Sequence, residues 1–203
     1  VGDNAGGATT TSSNNVAIGS GALLVNSTGG ENTAVGMTAL TANTTASNGT
    51  AIGTAALAAN TTGADNTGIG RAALEANTTG DYNTAVGSRS LDSNTTADSN
   101  TAVGYSALTA NTTGTLNTAV GANAGVAITT ANNNTAVGNL ALGTNSTGDA
   151  NTAVGSYALN LNTGASNTAV GRLALQNNST ASNNTAVGLQ ALKANTTGDT
   201  NVA

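Results

Sequence analysis

The apolar positions of this chain recur with a period longer than that of a helix or a strand. Val or Ile precedes a glycine at Gly2, Gly19, Gly36, Gly53, Gly70, Gly87, Gly104, Gly121, Gly138, Gly155, Gly171 and Gly188, and an Ala-Leu pair follows three residues later in nearly every case. The glycines stand 17 residues apart, except for 16 between Gly155 and Gly171, where Asn162-Thr163-Gly164 has one Thr fewer than Asn111-Thr112-Thr113-Gly114. Numbered from the Asn of Asn100-Thr101-Ala102-Val103-Gly104, the period reads N-T-A-V-G-x-x-A-L-x-x-N-T-T-G-x-x. Seventeen residues cannot bury a hydrophobic face alone but can stack on copies of themselves, so the period predicts a solenoid with one coil per repeat. Thr-Ala-Val reads as a short strand ended by the glycine, and stacking it builds a parallel sheet at about 4.8 Å per coil.

Every charged side chain and all three tyrosines (Tyr82, Tyr105, Tyr157) fall at places six, seven, ten, sixteen or seventeen. Places three, four, eight and nine are therefore the expected interior. On that reading Val35, Val86, Val103 and Val120 at place four and Leu40, Leu74, Leu108 and Leu142 at place nine form the core, and Gly36, Gly87, Gly104 and Gly138 make the turn. The second limb of the coil has two readings. Its fixed places, five, eight, nine and twelve, have the spacing of one helix face, and Arg71 with Glu75 even makes an i,i+4 pair. Helices pack about 8–10 Å apart and stacked strands only about 4.8 Å apart, which favours a second short strand. The fold class expected is all-β, a parallel β-solenoid of twelve coils with 17 residues each, the alternative being one strand and one short helical turn per coil.

The array fills residues 1–203 as one unit and begins and ends inside a pentad, at Val1-Gly2 and Asn201-Val202-Ala203, so we expect it to be a window of a longer repetitive chain. Two coils depart together from the consensus. Gly6 and Gly125 replace the ninth-place Leu, and Thr9 and Ile128 replace the twelfth-place Asn. Ala at place three is almost invariant and admits two explanations, close approach by another chain, which predicts a homo-oligomer, or tight packing within a single coil.

Composition removes whole classes of chemistry. Cys, His, Pro, Trp and Phe are absent, charged residues make up 6%, and only Arg71, Arg89, Arg172 and Lys193 are basic against a net charge of −5. Thiol chemistry and imidazole bases are excluded, and nucleic acid or anionic membrane surfaces would need clustered Lys and Arg. No apolar run approaches a membrane span. No cofactor or metal site is expected: Asp65, Asp81, Asp98, Asp149 and Asp199 occupy the loop of fewer than half the coils, without the per-turn ligand pattern of calcium-binding repeats. No carboxylate pair or nucleophile with a base is visible, so an enzyme is not expected.

Asn26, Asn43, Asn60, Asn77, Asn94, Asn111, Asn145, Asn178 and Asn195 open Asn-Thr-Thr or Asn-Ser-Thr triplets that fit the N-glycosylation acceptor pattern. The competing reading, which we prefer, is turn chemistry with Asn and Thr ladders running from coil to coil. Stacked Thr rows also raise ice binding, but the pentad Thr alternates with Ala, and the sequence alone shows no flat face of paired outward Thr.

Asn15-Val16-Ala17-Ile18-Gly19, the pentads after it, and the Ala-Leu that follows in Gly104-Tyr105-Ser106-Ala107-Leu108 resemble the head repeats of trimeric autotransporter adhesins. The Asn-Thr-Ala-Val-Gly and Asn-Thr-Thr-Gly strings are also similar to arrays in bacteriophage tail-fibre proteins. The resemblance spans the whole chain, although the coil is slightly longer than in the adhesin heads. It implies a left-handed β-roll, a homotrimer or self-assembling fibre, and an extracellular place on a cell surface or virion. It further implies a structural or adhesive role, with a host receptor or glycan as partner; the alternative is a purely structural filament with no receptor. The variable exposed places build no aromatic or charged patch, which favours shaft over tip.

Overall fold

The computed structural model describes residues 2–8 and 11–203. Val1 and Thr9, at places four and twelve of the first coil, lie outside the described residues. The chain is a parallel β-solenoid: among the described residues eleven strands of three residues, from β1 (Val16–Ile18) through β6 (Thr101–Val103) to β11 (Thr185–Val187), lie in one sheet whose spatial order is the sequence order. About ten turns, of roughly 17 residues each, separate the first strand from the last. Register is kept place for place, Thr101 opposite Thr118, Ala102 opposite Ala119 and Val103 opposite Val120. The short coil does not disturb it. Between β9 (Thr152–Val154) and β10 (Thr168–Val170), Thr152 still faces Thr168, and the missing residue is absorbed in the turn, where Asn162 Nδ2 reaches the Gly164 carbonyl at 2.8 Å.

The second limb is neither of the elements its spacing suggested. No helix occurs among the described residues, and no second strand forms; the limb consists of two linked turns. In the β6 coil the Ala107 amide donates to the Gly104 carbonyl at 3.4 Å and the Asn111 amide to the Leu108 carbonyl at 3.1 Å. Positive φ at Ser106 (52°) and Leu108 (51°) rules out an extended run. Two successive reversals aim places eight, nine and twelve at the interior, which explains why their spacing imitates a helix face. The limb is still stitched to its neighbours, Ser106 N to Ser88 O and Leu108 N to Ala124 O, each 3.0 Å. The Arg71–Glu75 pair expected of a helix does not form; the ion pair among the described residues is Arg89–Asp92, at 3.7 Å and exposed.

The interior is narrow. Ala102, Ala107 and Leu108 are wholly buried, as are their counterparts in most other coils, including Leu40, Leu74 and Leu142. Val35, Val86, Val103 and Val120, expected in the core, point away from it: the first three are half-buried and Val120 is 38% exposed. Successive side chains of a strand point to opposite faces, so only one of places three and four can face inward. Alanine takes that side because Leu fills the space between sheet and turn limb. At Gly68, the one coil lacking this alanine, an added Cβ would lie 3.0 Å from the Ala73 carbonyl oxygen and 3.3 Å from Leu57 Cγ. The small third-place residue is thus a packing requirement of the single coil, not a mark of another chain's approach.

Candidate interaction face and the ladders beneath it

The turn glycines fix where the sheet ends. Gly36, Gly87, Gly104 and Gly138 have φ between 129° and 139°, a region closed to other residues. A Cβ on Gly104 would also meet the Gly121 carbonyl oxygen at 2.6 Å.

Two rows of asparagine run up the inside of the coil. At place one, Asn100 Nδ2 donates across the coil to the Gly114 carbonyl (2.8 Å), and Asn100 Oδ1 accepts the Asn117 amide (2.9 Å). At place twelve, Asn94 donates to Asn77 Oδ1 (2.8 Å), Asn111 donates to Asn94 Oδ1 (2.9 Å), and Asn111 also donates to the Gly114 carbonyl (2.9 Å). Asn43, Asn60, Asn77, Asn94 and Asn111, together with Asn26, Asn145 and Asn178, are buried, and Asn195 is half-buried with its amide donating to Asn178 Oδ1. A glycan on these amides would replace the hydrogens that hold adjacent coils, inside a core with no space for a sugar, so the acceptor pattern is ladder chemistry. The thirteenth-place threonines add a third row, Thr78 Oγ1 donating to the Thr95 carbonyl at 3.0 Å and Thr112 Oγ1 to the Thr129 carbonyl at 3.1 Å.

The loop aspartates belong to the same system. Asp81 Oδ1 accepts the Ala64 amide, Asp98 Oδ1 the Asp81 amide, Asp149 Oδ1 the Asn132 amide and Asp199 Oδ1 the Ser182 amide, each at 2.7 Å. Asp65 Oδ1 accepts from Asn48 Nδ2 at 3.0 Å. Among the described residues no group of three or more His, Cys, Asp or Glu is placed to hold a metal ion.

What this system leaves unused is the outer face of the sheet. Thr33, Thr50, Thr67, Thr84, Thr101, Thr118, Thr135, Thr152, Thr168 and Thr185 form one column, and Val or Ile two residues on forms a second. Neither column contains a charged residue, because charges are confined to the turns. Exposure along the apolar column is 47% at Ile18, 40% at Ile52 and 38% at Val120 and Val170. Unlike the thirteenth-place hydroxyls, these pentad hydroxyls donate to no group within the described chain. Sequence reasoning missed this face by sending Val inward; the β-branched pair flanking a small residue was the signal for it.

Fold and face together define a β-solenoid with a laddered interior and one uncharged, regularly repeating surface. No protein-family model, no curated protein and no solved structure matches the chain.

Proposed function

We propose that the chain is a rigid shaft segment of an extracellular fibre, a twelve-coil left-handed β-roll of the adhesin-head or tail-fibre kind, with a structural and not a catalytic role. The observation that carries this reading is the extent of the ladders: interior Asn, turn Thr and loop Asp join one coil to the next along most of the stack. A stack joined in this way along most of its length resists bending, which is the property a spacer needs. The second limb supplies further coil-to-coil bonds, and the cavity at the first coils, lined by Ser12, Asn14 and Asn15 among others, holds no charged side chain.

Assembly of copies side by side, three in the proteins the sequence resembles, is the partner proposal that accompanies this reading, and sedimentation equilibrium tests it against the 19.2 kDa chain mass. A spacer role predicts that the isolated array leaves cells and glycan surfaces unlabelled. Saturable labelling by the array alone would replace the spacer with a receptor-binding head.

A further inference from the structure

We propose that the outer Thr–Val/Ile face binds ice. The sequence argued against this because Thr alternates with Ala, but that alanine is turned into the core, and the residues that share the surface are Thr and a branched aliphatic. The proposal takes only the rigid coil from the shaft reading and goes beyond it in assigning the face an occupant.

Three properties of the face carry the inference. The first is its lattice. Strict register repeats both columns at about 4.8 Å from coil to coil, with about 6.6 Å between Thr and Val along a strand. The coil-to-coil repeat of the Thr column is near the shorter oxygen repeat on a prism face of hexagonal ice. The register holds over all eleven strands, even across the 16-residue coil, so the array does not drift out of step. Side-chain ladders of the kind that keep a sheet flat run up the same coils, at the entry to the strands and on the turn limb.

The second property is chemical. A threonine hydroxyl can both donate and accept, and the pentad hydroxyls have no partner in the chain, whereas their thirteenth-place counterparts are bonded. Thr and Val methyl groups alternate with them, giving a surface that holds water in ordered positions without the strong, disordering pull of a charge. No charged side chain lies in either column.

The third property separates ice from a second copy of this chain. Two such faces pressed together would have to match hydroxyl to hydroxyl all along the stack, and every Thr set against a facing Val or Ile would lose water without gaining a partner. A buried hydroxyl without a partner is costly. Ice supplies a donor and an acceptor at every lattice point and leaves none unmatched.

The test uses the 203-residue chain as it is, with thermal hysteresis and partition into a slowly growing ice front as readouts, and sedimentation equilibrium and circular dichroism on the same samples. The expected result is a protein, monomeric or assembled with this face left free, that shapes ice crystals, opens a gap between melting and freezing, and is enriched in the ice. Thr101→Lys and Val103→Lys place a charge on the face and should each abolish most of the gap. Thr113→Lys, on an exposed turn, should leave it unchanged. Should a lysine on the sheet prevent folding, Thr101→Val, which removes only the hydroxyl, should still reduce the gap several-fold. A folded chain without hysteresis overturns the proposal, whatever its oligomeric state, as does an oligomer whose formation covers the face, or equal loss in the Thr113 variant. Loss of β-structure in the unaltered chain would instead count against the shaft reading.

Discussion

At the scale of single residues the fold is decided by which of two neighbours faces inward. Ala102 is wholly buried and Val103 half-exposed, so their responses to substitution should be opposite to those expected from hydrophobicity alone. Val103→Ser is expected to cost less than about 1 kcal/mol, since the side chain already meets water. Ala102→Val should cost about 1–3 kcal/mol by overfilling the coil. Thermal or urea melts of the two variants read the difference. Beneath them, Asn94→Ala removes the donor to Asn77 Oδ1 and the acceptor for Asn111. Because it strands buried polar groups, a loss of about 1–3 kcal/mol is expected, against almost none for Thr113→Ala on the exposed turn.

At the scale of the coil, the two limbs differ in how far the sequence disclosed them. The strand was legible: β-branched residues on both sides of a small one, closed by an invariant glycine, name a strand and its end. The turn limb was not, because two linked reversals give places five, eight, nine and twelve the same spacing as a helix face. Its left-handed residues are Ser106 and Leu108 in the β6 coil, types that do not advertise positive φ. Only in a few coils did the sequence carry that information, at Gly21 and in the two divergent coils. Asn4 and Gly6, and Asn123 and Gly125, stand at these same left-handed places, where Asn and Gly are favoured.

The coil that follows β7 (Thr118–Val120) also shows why its two departures travel together. A Cβ on Gly125 would lie 3.0 Å from both Ile128 Cδ1 and Leu108 Cδ2, so Ile128 fills the volume that Leu occupies elsewhere. The cost is a break in the place-twelve ladder, which leaves Asn111 Oδ1 without a partner. Gly125→Leu and Ile128→Asn should each destabilise the chain when made alone, by crowding and by emptying the core respectively. Combined, they restore the consensus, and a double-mutant cycle should show a favourable coupling above about 1 kcal/mol. Additive losses would mean that the two positions do not share one space.

At the scale of the whole molecule, the solenoid was legible from the period alone, and the function was not. Seventeen-residue spacing names stacked coils, but the surface that meets the outside depends on the orientation of a three-residue strand, which periodicity does not specify. A stack of like units should also gain stability unit by unit. Removing residues 84–100 joins Asn83 to Thr101 in register, and the shortened rod should fold with a smaller denaturant m-value. Removing residues 84–91 puts the strands out of step and should abolish cooperative unfolding.

The orientation of the strands underlies both the proposed shaft and the proposed ice-binding face, and the absence of native cysteine makes it directly measurable. Single cysteines placed at Ala34, Val35, Ala102, Val103, Ala186 and Val187 sample places three and four in β2 (Thr33–Val35), β6 and β11. Labelled in the native state with a thiol reagent, the cysteines at 35, 103 and 187 should react at rates close to those of the unfolded chain, and those at 34, 102 and 186 should be protected. Protection at 103 with labelling at 102 would contradict the inward alanine and outward valine on which the whole molecule is built.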